Sequence, residues 1–62
     1  MYKYTVLDKQ YVLQKLDKGE CVLCVDFKTM KIIDCAAMTV SAINIYKESS
    51  DTIFYTKAEV TE

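Results

Sequence analysis

The sequence predicts an α+β fold in which a small antiparallel β-sheet of three to five strands carries one N-terminal helix on one face. The chain has 62 residues, enough for one hydrophobic core but not for two, so we expect a single small globular domain over residues 1–62. Residues 8–18 have the spacing of an amphipathic helix. Most of the chain after Gly19 is rich in β-branched and aromatic residues, which favour strands.

The first strand and the helix are predicted from the first 19 residues. Residues 2–7 alternate weakly and favour a strand, although their terminal position makes fraying easy. Asp8 suits the helix N-cap because its carboxylate accepts from the free N–H groups of the first turn, and Leu7 can pack on Val12 as a hydrophobic staple. Gly19 suits the position just after the helix, where positive φ is common. We therefore expect a helix over residues 8–18.

The remaining elements are predicted to be extended. Residues 20–28 alternate with period two, residues 31–37 resume the pattern, and 28–30 leave room for a tight reversal, so this pair is a predicted β-hairpin. Residues 39–47 fit either a strand or a short helix capped by Thr39. The polar turn 48–51 and the β-rich run 52–60 favour the strand, which would complete a second hairpin. The expected core comprises the apolar positions Val12, Leu16, Leu23, Val25, Phe27, Ile33, Ile43 and Phe54.

The three cysteines raise the question of a metal or redox site. Cys21 and Cys24 have CxxC spacing, and Cys35 with Asp26 or Asp34 would complete a zinc site. Residues i and i+3 of a strand point to opposite faces, however, whereas a chelating CxxC needs a turn. We therefore expect buried, reduced cysteines that act as small apolar residues, with no disulfide and no metal.

The residue types that are missing exclude most enzyme classes. The sequence contains no His, Arg, Trp or Pro and a single Gly, so no Ser-His-Asp or Cys-His arrangement and no glycine-rich phosphate loop is possible. Asp26 and Asp34 are candidates for acid–base work, but we favour the interpretation that they are solvated charges at strand edges, because nothing indicates that they converge in a cleft. We expect a protein that is not an enzyme and needs no cofactor.

No apolar run reaches the roughly 18 residues that span a bilayer, and the first residues lack the apolar segment of a signal peptide. The formal net charge is −1 and the charges are scattered. These features predict a cytoplasmic protein with no membrane partner. The small net charge and the scattered charges also provide little long-range electrostatic attraction toward phosphate groups or a basic partner.

A single-stranded nucleic acid is the alternative partner. Tyrosine and lysine are interleaved at 2–4, 46–47 and 55–57, and such side chains on a sheet can stack bases while the lysines contact phosphates. The absence of arginine and the negative net charge make nucleic acid the less favoured partner.

The small size, the arginine-free and lysine-rich composition and the single glycine at a predicted helix end resemble those of small accessory proteins of phages and mobile elements in low-GC bacteria. Many such proteins, anti-CRISPR inhibitors among them, occupy the surface of a host protein. The resemblance therefore implies a small protein-interaction module that inhibits or adapts an unknown host protein. It assigns no role to individual residues.

A homodimer is also expected, because a chain this short has few other ways to gain stability. The run 52–60 is rich in strand formers, and at a sheet edge it would invite β-augmentation by a second copy or by another protein. The candidate interaction residues are Ile53, Phe54, Tyr55 and Lys57. The competing interpretation places this strand inside the sheet, where its aromatic residues fill the core.

Overall fold

The computed structural model describes residues 1–61 and contains a four-stranded antiparallel sheet with two helices. The strands are β1 (Tyr2–Leu7), β2 (Val22–Asp26), β3 (Lys31–Asp34) and β4 (Thr52–Glu59), and the helices are α1 (Val12–Asp17) and α2 (Val40–Glu48). The strand order across the sheet is β1-β4-β2-β3. The predicted α+β class, with an antiparallel sheet and an N-terminal helix on one face, is confirmed.

The N-terminal helix begins and ends at the predicted signals. Asp8 accepts a hydrogen bond from the backbone N–H of Gln10 at 3.2 Å, and a 3-10 turn over Lys9–Tyr11 leads into α1. Gly19 has φ of 80°, and its N–H donates to Leu16 O while the N–H of Glu20 donates to Lys15 O. These two bonds form a Schellman motif, which satisfies carbonyl groups left free at the helix end.

The hairpin between β2 and β3 is confirmed, and its turn is organised by Asp26. This carboxylate accepts from Lys28 N at 3.0 Å and from Thr29 Oγ1 at 3.1 Å, and Met30 closes the turn with φ of 58°. The second strand is shorter than predicted because Asp34 caps a 3-10 turn over Cys35–Ala37.

The segment 39–47 is helical, so the favoured strand interpretation is wrong. Thr39 caps α2 by accepting from the N–H of Ala42 at 3.2 Å, and Ile43 is buried while Tyr46, one turn later, packs against the core. The other β-branched residues, including Ile45 at 70% exposure, point outward. A helix buries this i, i+3 pair on one face, which a strand cannot do.

Because 39–47 is a helix, the second hairpin does not form and β4 does not lie at an edge. β4 pairs with β1 on one side and with β2 on the other. The prediction of an edge strand at 52–60 is therefore wrong, and the competing interior placement is correct. The edges of the sheet are β1 and β3.

One face of the sheet carries both helices and the core. The fully buried residues are Val12, Val22, Cys24, Cys35, Ile43 and Phe54. Leu16 and Ile33 pack against this cluster as predicted. Leu23 and Val25 are half-buried on the opposite face, and Phe27, predicted as core, is 48% exposed because it begins the hairpin turn.

Candidate protein-interaction surface

The side of the sheet opposite the helices is uncovered within residues 1–61. Neighbouring strands place Phe54 beside Cys24 and Leu7 on the helix side, so the alternate positions of each strand point the other way. We name this side the open sheet face. It consists of the even-numbered residues of β1 and β3 and the odd-numbered residues of β2 and β4.

The centre of the open sheet face is apolar. The register aligns Val6, Tyr55 and Leu23 in one row across three strands. A second row aligns Ile53, Val25 and Ile32. Val6 is 75% exposed and Ile32 is 67% exposed, and a shallow groove of about 550 Å³ lies between them. A contiguous apolar surface of this kind on a small protein is typical of an interaction site.

Tyrosines occupy one end of the face. Tyr4 and Tyr55 meet edge to face, with their ring centroids 5.7 Å apart, and Lys57 Nζ lies 4.1 Å from the centroid of the Tyr2 ring. The cation–π contact holds the lysine against an aromatic ring at one end of the face. The acidic residues Asp34 and Glu59 lie at the end of β3 and at the end of β4, so these charges lie at the margin of the apolar rows.

The predicted interaction residues divide between the two sides of the sheet. Ile53, Tyr55 and Lys57 belong to the open sheet face, but Phe54 points into the core and has no exposed surface. Including Phe54 among the contact residues was therefore wrong. Successive residues of an interior strand face opposite sides of the sheet, so Phe54 and its neighbours Ile53 and Tyr55 cannot contact the same partner.

Several residues of the open sheet face were not predicted as site residues. Tyr4, Val6, Leu23 and Ile32 line the groove together with Tyr55. For Tyr4 and Val6 the sequence does contain a signal, because the weak alternation in β1 places both residues on the same side of the sheet. Leu23 had been assigned to the core because both sides of β2 are apolar.

The tyrosine–lysine pairs converge only in part. Tyr2, Tyr4, Tyr55 and Lys57 share the open sheet face. Tyr46 instead packs against the core from α2, on the helix side. Lys3 belongs to the helix side as well, so a base-stacking surface would use the two tyrosines of the first run together with Tyr55 and Lys57.

The cysteines differ in their surroundings. Cys24 and Cys35 are buried, but Cys21 is exposed, so the prediction that all three are buried is wrong for Cys21. Burial raises the pKa of the Cys35 thiol to about 12, with smaller contributions from Cys24, Asp34 and Cys21. Burial also raises the pKa of Cys24. A raised pKa leaves less of each thiol in the reactive thiolate form.

Asp26 and Asp34, the candidate acid–base residues, both stabilise local backbone structure. Asp26 belongs to the helix side of the sheet and holds the hairpin turn, whereas Asp34 belongs to the open side and caps the 3-10 turn by accepting from Ala36 N at 3.0 Å. The two carboxylates point to opposite faces and do not form a pair. Within residues 1–61, no group of three or more His, Cys, Asp or Glu residues is placed to hold a metal ion.

None of the helices within residues 1–61 has the length and apolar character needed to cross a membrane. No protein-family model, curated protein or solved structure matches the chain. The open sheet face is therefore the feature on which a functional interpretation rests.

Proposed function

We propose that the protein is a non-enzymatic interaction module that binds another protein through its open sheet face. The observation that carries the proposal is the uncovered apolar groove between Val6 on β1 and Ile32 on β3, which expose most of their side chains. Exposed aliphatic surface costs free energy in water, about 25 cal/mol for each Å², and this cost is recovered when a partner covers it. A sheet side that is apolar at its centre and charged at its margin matches the anatomy of a protein interface.

The dimensions of the sheet fit a small interface. With about 4.8 Å between strands and 3.3 Å per residue, the four strands form an area of roughly 350 Å² before side-chain relief is counted. Counted over both partners this is about 700 Å², which is below the standard interface size and belongs with weak, transient protein complexes. The tyrosines add rigid contact area at a low cost in side-chain entropy, as they do in many recognition surfaces.

We further propose that the partner is a host protein in the cytoplasm, which this chain inhibits or adapts by occupying its surface. The compositional resemblance to phage and mobile-element accessory proteins supports this form. The partner's complementary patch would be apolar and of similar size, with few charges opposite Val25 and Ile53.

A matched pair of variants tests the proposal. Ile32 on the open sheet face and Ile45 on the outer side of α2 are 67% and 70% exposed, so Ile32→Lys and Ile45→Lys perturb similar environments on opposite sides of the molecule. Wild type and both variants are used to capture partners from a lysate of the native host, and affinities are then measured with the purified partner. We expect Ile45→Lys to bind like wild type.

Ile32→Lys should weaken binding at least tenfold, because it places a charge in the apolar contact. Equal capture by the two variants, with both folded by circular dichroism, would exclude the open sheet face as the binding site. Loss of binding by Ile45→Lys alone would place the interface on the helices.

A single-stranded nucleic acid is the second candidate partner, favoured by the convergence of Tyr2, Tyr4, Tyr55 and Lys57 on the open sheet face. Such a face can stack bases. The same face has one lysine among its strand residues and carries Asp34 and Glu59, which oppose phosphate binding. A gel shift with labelled single strands at increasing salt separates the two candidates, since phosphate contacts weaken steeply with salt.

A further inference from the structure

The free edge of β1 presents a regular set of backbone groups. Val60 N–H donates to Met1 O at 2.9 Å, and the register pairs Lys3 with Ala58 and Thr5 with Thr56. In an antiparallel ladder hydrogen-bonded pairs alternate with non-bonded pairs, so the odd-numbered residues bond to β4. The N–H and C=O groups of the even-numbered residues therefore point away from the sheet.

This edge lacks the usual protection against pairing. Natural edge strands are kept short, charged, bulged or interrupted by proline. The other edge, β3, has four residues and a charge at each end, Lys31 and Asp34. β1 has six residues, no proline and Lys3 as its one charged residue. Helix α1 follows β1 in the chain but packs on β2, which is two strands away from the edge. Within residues 1–61 this helix therefore does not block the free edge of β1.

We propose that β1 pairs antiparallel with β1 of a second copy of this chain, in the register that places Tyr4 opposite Tyr4 of the other copy. This register also places Tyr2 opposite Val6, and it engages all the outward-pointing groups of β1 in about six hydrogen bonds. Registers centred elsewhere leave some of those groups unpaired. The homodimer expected from the sequence thus forms through β1, in place of the 52–60 strand.

The side chains are compatible with this register. On the helix side, Lys3 lies opposite Thr5 of the second copy, so no like charges face each other. On the open side, tyrosine and valine pair across the new boundary, which is a favourable combination in sheets. The product is an eight-stranded sheet in which the two open faces are continuous. The dimer uses the edge and leaves the centre of each open sheet face available, so it does not depend on the proposed function.

Charge substitution at Thr5 tests the register. Thr5 is exposed, and its backbone carbonyl, rather than its hydroxyl, accepts the bond from Thr56 Oγ1. The proposed dimer contains two equivalent contacts between position 5 of one copy and Lys3 of the other. Thr5→Lys would place like charges in both contacts, and Thr5→Glu would place opposite charges in both. The dissociation constant, measured by sedimentation equilibrium from micromolar to millimolar concentration, should rise roughly two- to thirtyfold for Thr5→Lys and fall for Thr5→Glu.

A structural readout accompanies the affinity measurement. Lys3 and Thr5 form a non-hydrogen-bonded pair across the dimer boundary, so their Hα atoms approach closely and give an intermolecular NOE in a sample mixing labelled and unlabelled chains. A monomer at millimolar concentration, or a dimer that shows no such NOE and equal affinity for both Thr5 variants, would overturn the proposal. Ile32→Lys should leave the dimer intact, so failure of this proposal and failure of the proposed function are distinguishable.

Discussion

At the scale of single residues, burial controls the chemistry of the cysteines. Cys35 is 1% exposed and Cys24 is fully buried, whereas Cys21, three residues before Cys24, is exposed. The buried thiols pack with Phe54 and Ile43 as small apolar groups. Removing a thiolate from water is costly, and this cost makes ionisation of these thiols unfavourable in the folded state.

The raised pKa of Cys35 predicts a pH dependence of stability. Unfolded thiols ionise near pH 8.5, but Cys35 stays protonated up to about pH 12 in the fold. The stability that Cys35 gives the folded protein is therefore fully present below about pH 8.5. As the pH rises toward 12 this stability is lost, and the free energy of unfolding falls by up to about 1.4 kcal/mol per pH unit. We expect Cys35→Ala to be less stable than wild type at pH 8, and the difference in unfolding free energy to narrow by pH 11.

Urea unfolding of both proteins across this pH range measures the effect, and the comparison cancels the titration of lysines and tyrosines that the two chains share. A difference that stays constant from pH 8 to pH 11 would contradict the assignment of a raised pKa to Cys35.

At the scale of elements, local capping outweighs strand propensity in α2. Thr39 supplies the N-cap, and Lys9 Nζ donates to the carbonyl oxygen of Ser49, the residue after the helix, at 2.6 Å, so each end of the helix has a stabilising hydrogen bond. Positive charge at a helix C-terminus is favourable. β-Branched residues lower helix propensity by only a few tenths of a kcal/mol each, which the caps and the burial of Ile43 offset.

Substitution of Thr39 measures how much the N-cap of α2 contributes to the stability of the fold. Thr39→Ala leaves the N–H of Ala42 without its acceptor and should lower the unfolding free energy by about 1 kcal/mol. Ser41→Ala, an exposed change in the same helical turn, is the control and should have little effect. The measurement is equilibrium unfolding followed by circular dichroism. Equal stability of the two variants would show that the Thr39 cap contributes nothing.

At the scale of the whole molecule, the two helical connections determine the strand order. α1 links β1 to β2 and α2 links β3 to β4, and in each case the linked strands have one other strand between them. Both helices pack on the same side, since Val12 and Ile43 belong to one core cluster. The arrangement covers one side of the sheet and leaves the other side apolar and open.

This topology predicts the pattern of amide hydrogen exchange. β4 pairs on both sides, so the amides of Phe54 and Tyr55 should exchange among the slowest in the chain. At low micromolar concentration, the outward amides of Tyr2 and Tyr4 should exchange rapidly. At higher concentration, the proposed dimer should protect Tyr4. Fast exchange throughout β4 would contradict its interior position.

The sequence by itself determined the elements with strong local signals. Asp8 and Gly19 mark the N-terminal helix through hydrogen bonds to residues two or three positions away, and the β2–β3 hairpin closes over a four-residue turn. Such signals need only neighbouring residues, so they are visible in one sequence. The expectation that residues near 53–57 belong to an interaction surface stays a prediction, with Phe54 removed from it.

Only the tertiary structure decided which strands are neighbours and which side of the sheet stays open. The pairing of Tyr4 with Lys57 joins residues far apart in the chain, and no local pattern encodes that choice. β2 is apolar on both sides, so alternation could not tell whether Leu23 or Cys24 faces the core. The two helices settle this by covering one side of the sheet, which buries Cys24 and Phe54 and leaves Leu23, Tyr55 and Val6 on the open sheet face.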